Sequence, residues 1–220
     1  MMDQDRLTSA SRGALARGIR VLQGCRLDPG DRDHMAILLE HMAPEEGSNW
    51  VDLGCGFGEP ARLLRELRPD LNFWLVNNNS FQLSQAPPDM ATFCCDMHEL
   101  PFDDEAFDGA MFLYSLCQSD GFVHALREAW RVVRPGGKLF VFDCARFGSD
   151  DDTLSLQHLG ARFIPFDTLR VVNRVAGWDF EAFVLPRGSN EVFRSMFVDP
   201  ELHDRIFSEV RPIIWWARRR

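Results

Sequence analysis

The chain reads Val51-Asp-Leu-Gly-Cys-Gly-Phe-Gly-Glu-Pro60 where a buried strand gives way to a turn. Gly54, Gly56 and Gly58 predict a tight turn whose backbone can touch a ligand, because glycine has no Cβ atom and tolerates positive φ. The spacing differs from the G-x-G-x-x-G fingerprint of dinucleotide-binding folds, since the third glycine comes one residue early. The turn therefore predicts a ligand site of another kind.

Short apolar runs alternate with helical patterns along the rest of the chain. Seven of the runs are predicted strands: Trp50 to Leu53, Phe73 to Val76, Thr92 to Cys95, Gly109 to Tyr114, Lys138 to Asp143, Phe180 to Leu185 and Ile213 to Ala217. Strands that alternate with helices form parallel sheets wound by crossover helices. The sequence therefore predicts an α/β fold with a doubly wound, seven-stranded, mostly parallel sheet.

Helical patterns fill the intervals. The predicted helices are His34 to Met42, Ala61 to Leu67, His124 to Val133 and Asp167 to Ala176, with helical material from Glu191 to Val210. Asp31 is the predicted N-cap of the first helix. A further crossover helix of little more than two turns is expected before Pro87-Pro88. We expect an N-terminal helical cap over residues 1–48 and one sheet domain over residues 49–220. The terminal Ile213-Ile-Trp-Trp-Ala-Arg-Arg-Arg220 predicts an edge strand with solvated arginines, and a membrane-touching tail is the alternative.

Composition argues against several classes of protein. The 220 residues, 45% of them hydrophobic, suit one globular core. A net charge of −9 argues against a protein that binds nucleic acid by neutralising many phosphates, and a local basic groove is the alternative. Six cysteines lack paired zinc spacing, so we expect reduced thiols and no metal site in the protein itself. Apolar runs are too short for a signal peptide or a membrane span, which predicts a cytoplasmic protein; a homodimer stays open.

The glycine turn resembles motif I of the class I S-adenosylmethionine (SAM) dependent methyltransferases, because Asp52 precedes it in the order D-x-G-x-G-x-G. Leu100-Pro-Phe-Asp-Asp-Glu-Ala-Phe-Asp108 is similar to the family's link into strand four, and Arg127 to Gly137 is similar to its segment ahead of strand five. The resemblance implies an enzyme with a Rossmann-like methyltransferase sheet, closed by a reversed hairpin. It also implies SAM as cofactor and S-adenosylhomocysteine (SAH) as product.

The resemblance also implies which residues hold SAM. Amides and carbonyls of the three glycines would meet the methionine part, and Asp52 would orient its ammonium group. Asn77 stands where the family commonly has an acidic residue for the ribose; an amide can accept from one hydroxyl and donate to the other. Asp96 would accept from the adenine amino group, and Met97 would pack on the ring.

Two segments narrow the resemblance to the sterol side-chain and related isoprenoid C-methyltransferases. They are Gly56-Phe-Gly-Glu-Pro-Ala-Arg62 and Val76-Asn-Asn-Asn-Ser-Phe-Gln82, similar to the family loops G-x-G-G-P-A-R and L-N-N-N-x-x-Q. The second segment adds Asn78 and Gln82 to the predicted cofactor site. Tyr114-Ser-Leu-Cys-Gln-Ser119 is weakly similar to E-A-T-C-H-A; the cysteine matches, but a tyrosine and a glutamine replace the glutamate and histidine, so acid-base residues do not carry over.

Tyr114, the only tyrosine, is predicted at the end of strand four, facing the methyl-transfer centre. We expect it to stabilise a carbocation or relay a proton; packing against SAM is the alternative. His98 is a second candidate catalytic residue, as a base, whereas His124 fits a surface or core position. Cys117 belongs to the predicted substrate site.

Arginines after strand five complete that site. Arg146 and Arg162, with Arg170 and Arg174 nearby, would meet the diphosphate of a prenyl acceptor. Magnesium is expected only for such an acceptor, held by Asp150-Asp-Asp152, although we favour an ordinary exposed acidic loop there.

These motifs predict a SAM-dependent methyltransferase for a small, largely apolar acceptor in natural product biosynthesis, with carbon methylation of an isoprenoid favoured. Two alternatives stay open: transfer to oxygen or nitrogen of an aromatic natural product, and SAM binding without catalysis. Strand four lacks the Asn/Asp-Pro-Pro-aromatic run of amino methyltransferases that act on bases, which argues against a nucleic-acid acceptor.

Overall fold

An eight-stranded sheet forms the centre of the computed structural model, which describes residues 32–148, 160–186, 194 and 200–220. The strands are β1 (Asn49–Leu53), β2 (Asn72–Asn77), β3 (Ala91–Cys94), β4 (Phe107–Leu113), β5 (Val133–Arg146), β6 (Ile164–Pro165), β7 (Trp178–Val184) and β8 (Val210–Arg219). Their order is β3-β2-β1-β4-β5-β8-β7, and β6 pairs with the end of β5. Neighbours from β3 to β5 are parallel, whereas β8 is antiparallel to β5 and β7. The predicted mostly parallel sheet with its reversed hairpin is confirmed, and β6 is a short addition.

Helices cover both faces of this sheet. They are α1 (Arg32–Met42), α2 (Glu59–Leu67), α3 (Ser80–Leu83), α4 (Phe122–Val132), α5 (Leu169–Val175) and α6 (Pro200–Ile206), with 3₁₀ turns at Leu116–Gln118 and Phe166–Thr168. Residues of each strand alternate between two apolar layers. Trp50 of β1 faces the layer that contains α1 and α2, while Val51 and Leu53 face the layer that contains α4 and α5.

Helix α1 is the described part of the predicted N-terminal cap. It buries Met35, Leu38 and Met42 against the sheet, and the Lys138 ammonium donates to the Met42 carbonyl (2.6 Å). Residues 1–31, including the predicted N-cap Asp31, lie outside the described residues. The division into a cap over residues 1–48 and a sheet domain therefore stays a prediction.

The helix after β2 is shorter than predicted. Asn79 caps α3 by accepting from the Gln82 amide (2.9 Å), but α3 contains only one turn. After it, the Gln85 and Ala86 amides donate to carbonyls three residues back, a tighter 3₁₀ pattern. A residue that precedes proline avoids the helical region, so Pro87-Pro88 ends the helix earlier than the pattern indicated.

The predicted placement of the C-terminal strand was wrong. Strand β8 is not an edge strand, because it pairs with β5 on one side and β7 on the other. Trp215 is buried in the sheet rather than presented at a surface, and Arg219 is buried with its guanidinium 3.8 Å from the Trp130 ring centroid. None of the helices in the described ranges is long and apolar enough to cross a membrane.

Candidate active site

Gly54 joins the segments that follow three strands. Its amide donates to the Val76 carbonyl of β2 (2.8 Å). The prediction that this amide is exposed to a ligand is therefore wrong. A Cβ atom on Gly54, whose φ is +80°, would lie 2.5 Å from Ser115 Cβ and 3.2 Å from Met97 Cε. The Ser115 hydroxyl donates to the Leu53 carbonyl beside it. Gly54 is therefore needed because other segments pack against it.

Gly58 has a similar packing role on β2. Its amide donates to the Cys55 carbonyl (2.9 Å), and a Cβ atom there would lie 2.7 Å from Leu75 Cδ1. Its φ of +73° starts α2 in the left-handed region that glycine favours. The predicted contact of its amide with a ligand is therefore replaced by an internal hydrogen bond.

Gly56 is the glycine of the turn that opens onto free space. Its φ is +58°, and no heavy atom of the described residues lies within 4 Å of the position a Cβ atom would take. A backbone that requires glycine although nothing crowds it from the protein side leaves room for a ligand. We define this opening at Gly56 as the cradle.

Asn77 and Gln82 border the cradle. The Asn77 amide group donates to Gln82 Oε1 (2.8 Å) and to the Gly56 carbonyl (3.3 Å). Both side chains are buried, whereas Asn78 is exposed. With its nitrogen engaged, Asn77 has Oδ1 as an acceptor and Gln82 has Nε2 as a donor. This pair can accept a hydrogen bond from one ligand hydroxyl and donate a hydrogen bond to another.

Asp96 and Met97 follow β3. The Asp96 side chain is 61% exposed, and its Oδ1 accepts from the His98 amide (2.9 Å) and contacts His98 Nδ1 (2.6 Å). The hydrogen bonds from His98 hold the pKa of the Asp96 carboxyl below its usual value. Met97 is half-buried, and its Cε lies 3.2 Å from the Cβ position on Gly54, so Met97 packs beside the glycine turn. A contact of Asp96 and Met97 with adenine stays a prediction.

Asp52 lies completely buried in the sheet, between Leu75 of β2 and Met111 of β4. Burial, and next the Asp52 charge, raise the pKa of the Cys55 thiol well above its usual value. Asp52 shares a face of β1 with Trp50, the face that α1 and α2 cover. A role in orienting an ammonium group stays a prediction.

Tyr114 leaves β4 in a left-handed conformation. Its φ is +54°, which is uncommon for any residue other than glycine, and its amide donates to the Phe142 carbonyl (2.6 Å). The buried Tyr114 ring lies 4.6 Å from the Phe142 ring, and His34 of α1 lies 5.5 Å from Phe142 on centroid distances. His34, Tyr114 and Phe142 form a buried aromatic wall, as we call it below.

Asp143 fixes the loop that follows Tyr114. Its Oδ2 accepts from the Cys117 amide (2.9 Å) and its Oδ1 from the Cys144 amide (2.7 Å). Burial raises the pKa of the Asp143 carboxyl to about 6. Burial and the neighbouring Asp143 also raise the pKa of the Cys117 thiol well above its usual value, so Cys117 is a packed thiol.

The predicted arginines are placed around this loop and beyond it. The Arg162 amide donates to the Cys117 carbonyl (2.7 Å), while its side chain is exposed. Arg146 is half-buried at the end of β5. The Arg170 guanidinium lies 5.4 Å from the Phe180 ring centroid, on β7. Asp150 to Asp152, candidate magnesium ligands for which an ordinary acidic loop was favoured, lie outside the described residues.

Sequence reasoning missed three residues of this region. Asp143 ends the predicted fifth strand, and the rule that ligands sit beyond the carboxyl ends of strands could have identified it. Ser119 belongs to a segment that was analysed only by resemblance, although its hydroxyl contacts His98 Nε2 (2.8 Å). His34 gave no signal, because a histidine within an apolar helix pattern does not reveal what it faces.

Comparison with known proteins shows a similarity to methyltransferases. Residues 51–141 match the family model described as "Methyltransferase domain". Methyltransferase phqN of Penicillium fellutanum is 29% identical over 58% of this chain and 44% of its own length. Sterol 24-C-methyltransferase erg6 of Aspergillus fumigatus is 27% identical over 54% of this chain and 35% of its own length. The matched segment thus spans less than half of each of these curated relatives.

A solved structure shows the same fold. Geranyl diphosphate C-methyltransferase from Streptomyces coelicolor A3(2), in complex with Mg²⁺, geranyl diphosphate and SAH, superposes with a TM-score of 0.75 over 97% of this chain and 99% of that chain, at 13% identity. The domain match and the strand order both resemble those of class I SAM-dependent methyltransferases. The chain is also similar to the sterol and isoprenoid C-methyltransferases, as its motifs predicted. The predicted fold and the predicted resemblance are confirmed.

Proposed function

We propose that this protein transfers the methyl group of SAM to a carbon atom of a small, largely apolar isoprenoid, with a prenyl diphosphate as the first acceptor to test. The aromatic wall carries the proposal, because it places a strained tyrosine and two further rings beside the loop after β4. The names of the sterol and geranyl diphosphate C-methyltransferases among similar proteins support the same substrate class.

The cradle and its border fit SAM. We assign the methionine part to Asp52 and the turn around Gly56, which has room for a ligand. The ribose falls to Asn77 and Gln82, whose paired amides offer one acceptor and one donor. The adenine falls to Asp96 and Met97. The exposed Asn78, which was predicted to join them, is assigned to the rim.

SAM supplies an electrophilic methyl group, and the acceptor alkene supplies the electron pair for the new carbon–carbon bond. The carbon–sulfur bond breaks, SAH leaves, and the acceptor becomes a carbocation that must lose a proton. Aromatic faces stabilise a desolvated cation by about 2 kcal/mol each. Tyr114 of the aromatic wall is the face we assign to this task and the candidate proton relay, with the completely buried Phe142 packed behind it.

A diphosphate head group would need a basic partner. Arg162, whose amide donates to the Cys117 carbonyl of the loop after β4, and Arg146, at the end of β5, are the candidates, because guanidinium groups bind phosphate oxygens through paired donors. Magnesium would be needed with this acceptor only, as the ion that neutralises the diphosphate charge.

The test uses methyl-labelled SAM with geranyl diphosphate, farnesyl diphosphate, geraniol, a sterol and a simple phenol. We expect label in a prenyl product, release of SAH, and a new carbon-bound methyl group by NMR. The diphosphate reactions should stop when EDTA removes magnesium. Label only on the oxygen of the phenol would support the alternative of transfer to a heteroatom of an aromatic acceptor. SAH binding without turnover of any acceptor would instead favour a non-catalytic SAM-binding protein.

Tyr114 variants test the aromatic wall. We expect Tyr114→Leu to lower kcat about thirtyfold, the equivalent of one lost cation–π contact of about 2 kcal/mol. Tyr114→Phe keeps the ring face and isolates the hydroxyl, so a loss confined to Tyr114→Leu assigns cation stabilisation, whereas a loss in both variants assigns proton relay. SAH affinity is the control and should change less than twofold. Full activity in both variants would refute a catalytic role for Tyr114.

A further inference from the structure

His98 connects two segments of the site through a continuous chain of hydrogen bonds. Its Nδ1 contacts Asp96 Oδ1 (2.6 Å) and its Nε2 contacts Ser119 Oγ (2.8 Å). Ser119 Oγ also accepts from the Gly121 amide (3.0 Å). Both ring nitrogens of His98 are therefore engaged within the protein, so neither is open to a substrate.

One arrangement of hydrogens satisfies all four groups. Ionised Asp96 can only accept, so Nδ1 of His98 carries the hydrogen. A neutral ring then has Nε2 as an acceptor, and the Ser119 hydroxyl donates to it. The oxygen of Ser119 keeps a lone pair for the Gly121 amide. The His98 ring is thus held at both ends, between the segment after β3 and the start of α4.

We propose that His98 is a positioning residue that holds Asp96 Oδ1 in place and so presents Oδ2 to the amino group of adenine. The proposal rests on the proposed function, in which Asp96 accepts from that amino group. The Asp96 side chain is 61% exposed, and besides the His98 ring only the His98 backbone amide is seen to hold its Oδ1 (2.9 Å). Fixing a binding group before the ligand arrives improves affinity, because the ordering cost is already met.

The order Asp96, His98, Ser119 is also that of a nucleophile triad, but the surroundings favour positioning. Ser119 is 5% exposed, and its oxygen already accepts from a backbone amide. The pocket beside His98 is lined by charged groups that pair with one another, such as Glu128 with Arg131 (2.9 Å). Acyl transfer needs an accessible nucleophile, so we assign the three residues to binding.

Two substitutions separate the two ends of the His98 ring. His98→Asn places an amide nitrogen where Nδ1 lies and keeps the contact with Asp96, while losing Ser119. His98→Gln places its amide where Nε2 lies and keeps Ser119, while losing the side-chain contact with Asp96. Calorimetry with SAH should give a dissociation constant within twofold of wild type for His98→Asn and about fivefold weaker for His98→Gln.

The second ligand is an SAH analogue with hydrogen in place of the adenine amino group. It should bind wild type and His98→Gln equally, because the contact that His98 supports is missing. Melting temperatures of the ligand-free variants check that both are folded. Equal SAH affinity in His98→Gln and wild type would overturn the proposal, and so would an equal loss for SAH and the analogue. If wild type binds SAH and His98→Gln gives either of these two results, the positioning role of His98 fails and the proposed function survives. If wild type binds no SAH, both proposals fail.

Discussion

Gly54, Gly56 and Gly58 look equivalent in the sequence, yet they meet three different environments. Gly54 is closed in by Ser115 and Met97, and Gly58 by Leu75, so a methyl group at either position would clash with protein. Gly56 opens onto the cradle. Only at Gly56 would an added methyl group compete with a ligand instead of the protein's own packing.

We predict that Gly56→Ala weakens SAH binding by at least tenfold. Gly47→Ala is a matched control, because Gly47 also has a positive φ (+74° against +58°) and also has no described atom within 4 Å of its Cβ position. Both variants should lose about 1 kcal/mol of unfolding free energy, the cost of a left-handed alanine. Gly47 lies in the turn before β1, away from the cradle.

Calorimetry and chemical denaturation measure the two quantities separately. Equal SAH affinity in both variants would mean that Gly56 does not face the cofactor. Equal loss of affinity in both would mean that backbone strain, and not contact with the ligand, changes the binding.

The loop between β4 and α4 is held by groups far apart in the sequence. Asp143 of β5 accepts from the Cys117 amide, and Ser115 donates to the end of β1. Tyr114 is kept in a left-handed conformation between them. Backbone strain of this kind costs about 1–3 kcal/mol and persists only where surrounding contacts enforce it. The loop is therefore a rigid support for the acceptor side of the site.

The Asp143 carboxyl should make stability depend on pH. Its pKa is raised to about 6 by burial, so the folded protein keeps this proton where the unfolded chain has lost it. Its contribution is fully present below about pH 4, the ordinary pKa of aspartate, and is lost as pH rises through about 6. We predict that the unfolding free energy of wild type minus that of Asp143→Asn falls by about 2 kcal/mol between pH 4 and pH 7.

Asp108→Asn is the control with the opposite sign. Burial raises the pKa of the Asp108 carboxyl, but the Asn49 amide and Arg134 outweigh burial and leave it lowered. A lowered pKa contributes stability above the unfolded pKa that is lost as pH falls. The wild-type advantage over Asp108→Asn should therefore grow from acid to neutral pH. Parallel pH curves for wild type and Asp143→Asn would show that Asp143 titrates normally.

The molecule as a whole places every proposed contact at one end of the parallel strands. Strands β1, β2, β3 and β4 are neighbours in the sheet, so their carboxyl ends share an edge. The reversed pair β8 and β7 extends the other side of the sheet, and α1 covers the face that carries Trp50. Ligand binding at this edge should stabilise the sheet domain as one unit.

We predict that SAH at a hundred times its dissociation constant raises the melting temperature by roughly 5–10 °C. The binding free energy available at that concentration is about 2.7 kcal/mol, and a domain of this size gains about 2–4 °C per kcal/mol. Differential scanning fluorimetry measures the shift. Gly56→Ala at the same SAH concentration should shift less, and homocysteine alone should have little effect. An unchanged wild-type melting temperature would count against SAH binding altogether.

The strands could be anticipated from local patterns, because short apolar runs alternate with helical patterns along the chain. The apolar runs predicted seven of the eight strands, and β6 escaped because two residues carry no period. The end of the chain could not be placed in this way. Whether Trp215 and Arg219 lie at an edge or inside depends on β7 returning beside β8, which is a long-range pairing.

Some features of the candidate site could likewise be predicted from the sequence, and others only the tertiary structure shows. The glycine turn, Asn77, Asp96 and Tyr114 could be predicted as site residues from the family resemblance and from their positions at strand ends, which are visible in neighbouring residues. Which glycine opens onto space, which amides pair, and that His98 joins Asp96 to Ser119 were decided only by the folded chain. Those facts are distances between residues that are remote in sequence, and such distances exist only once the sheet has brought its strand ends together.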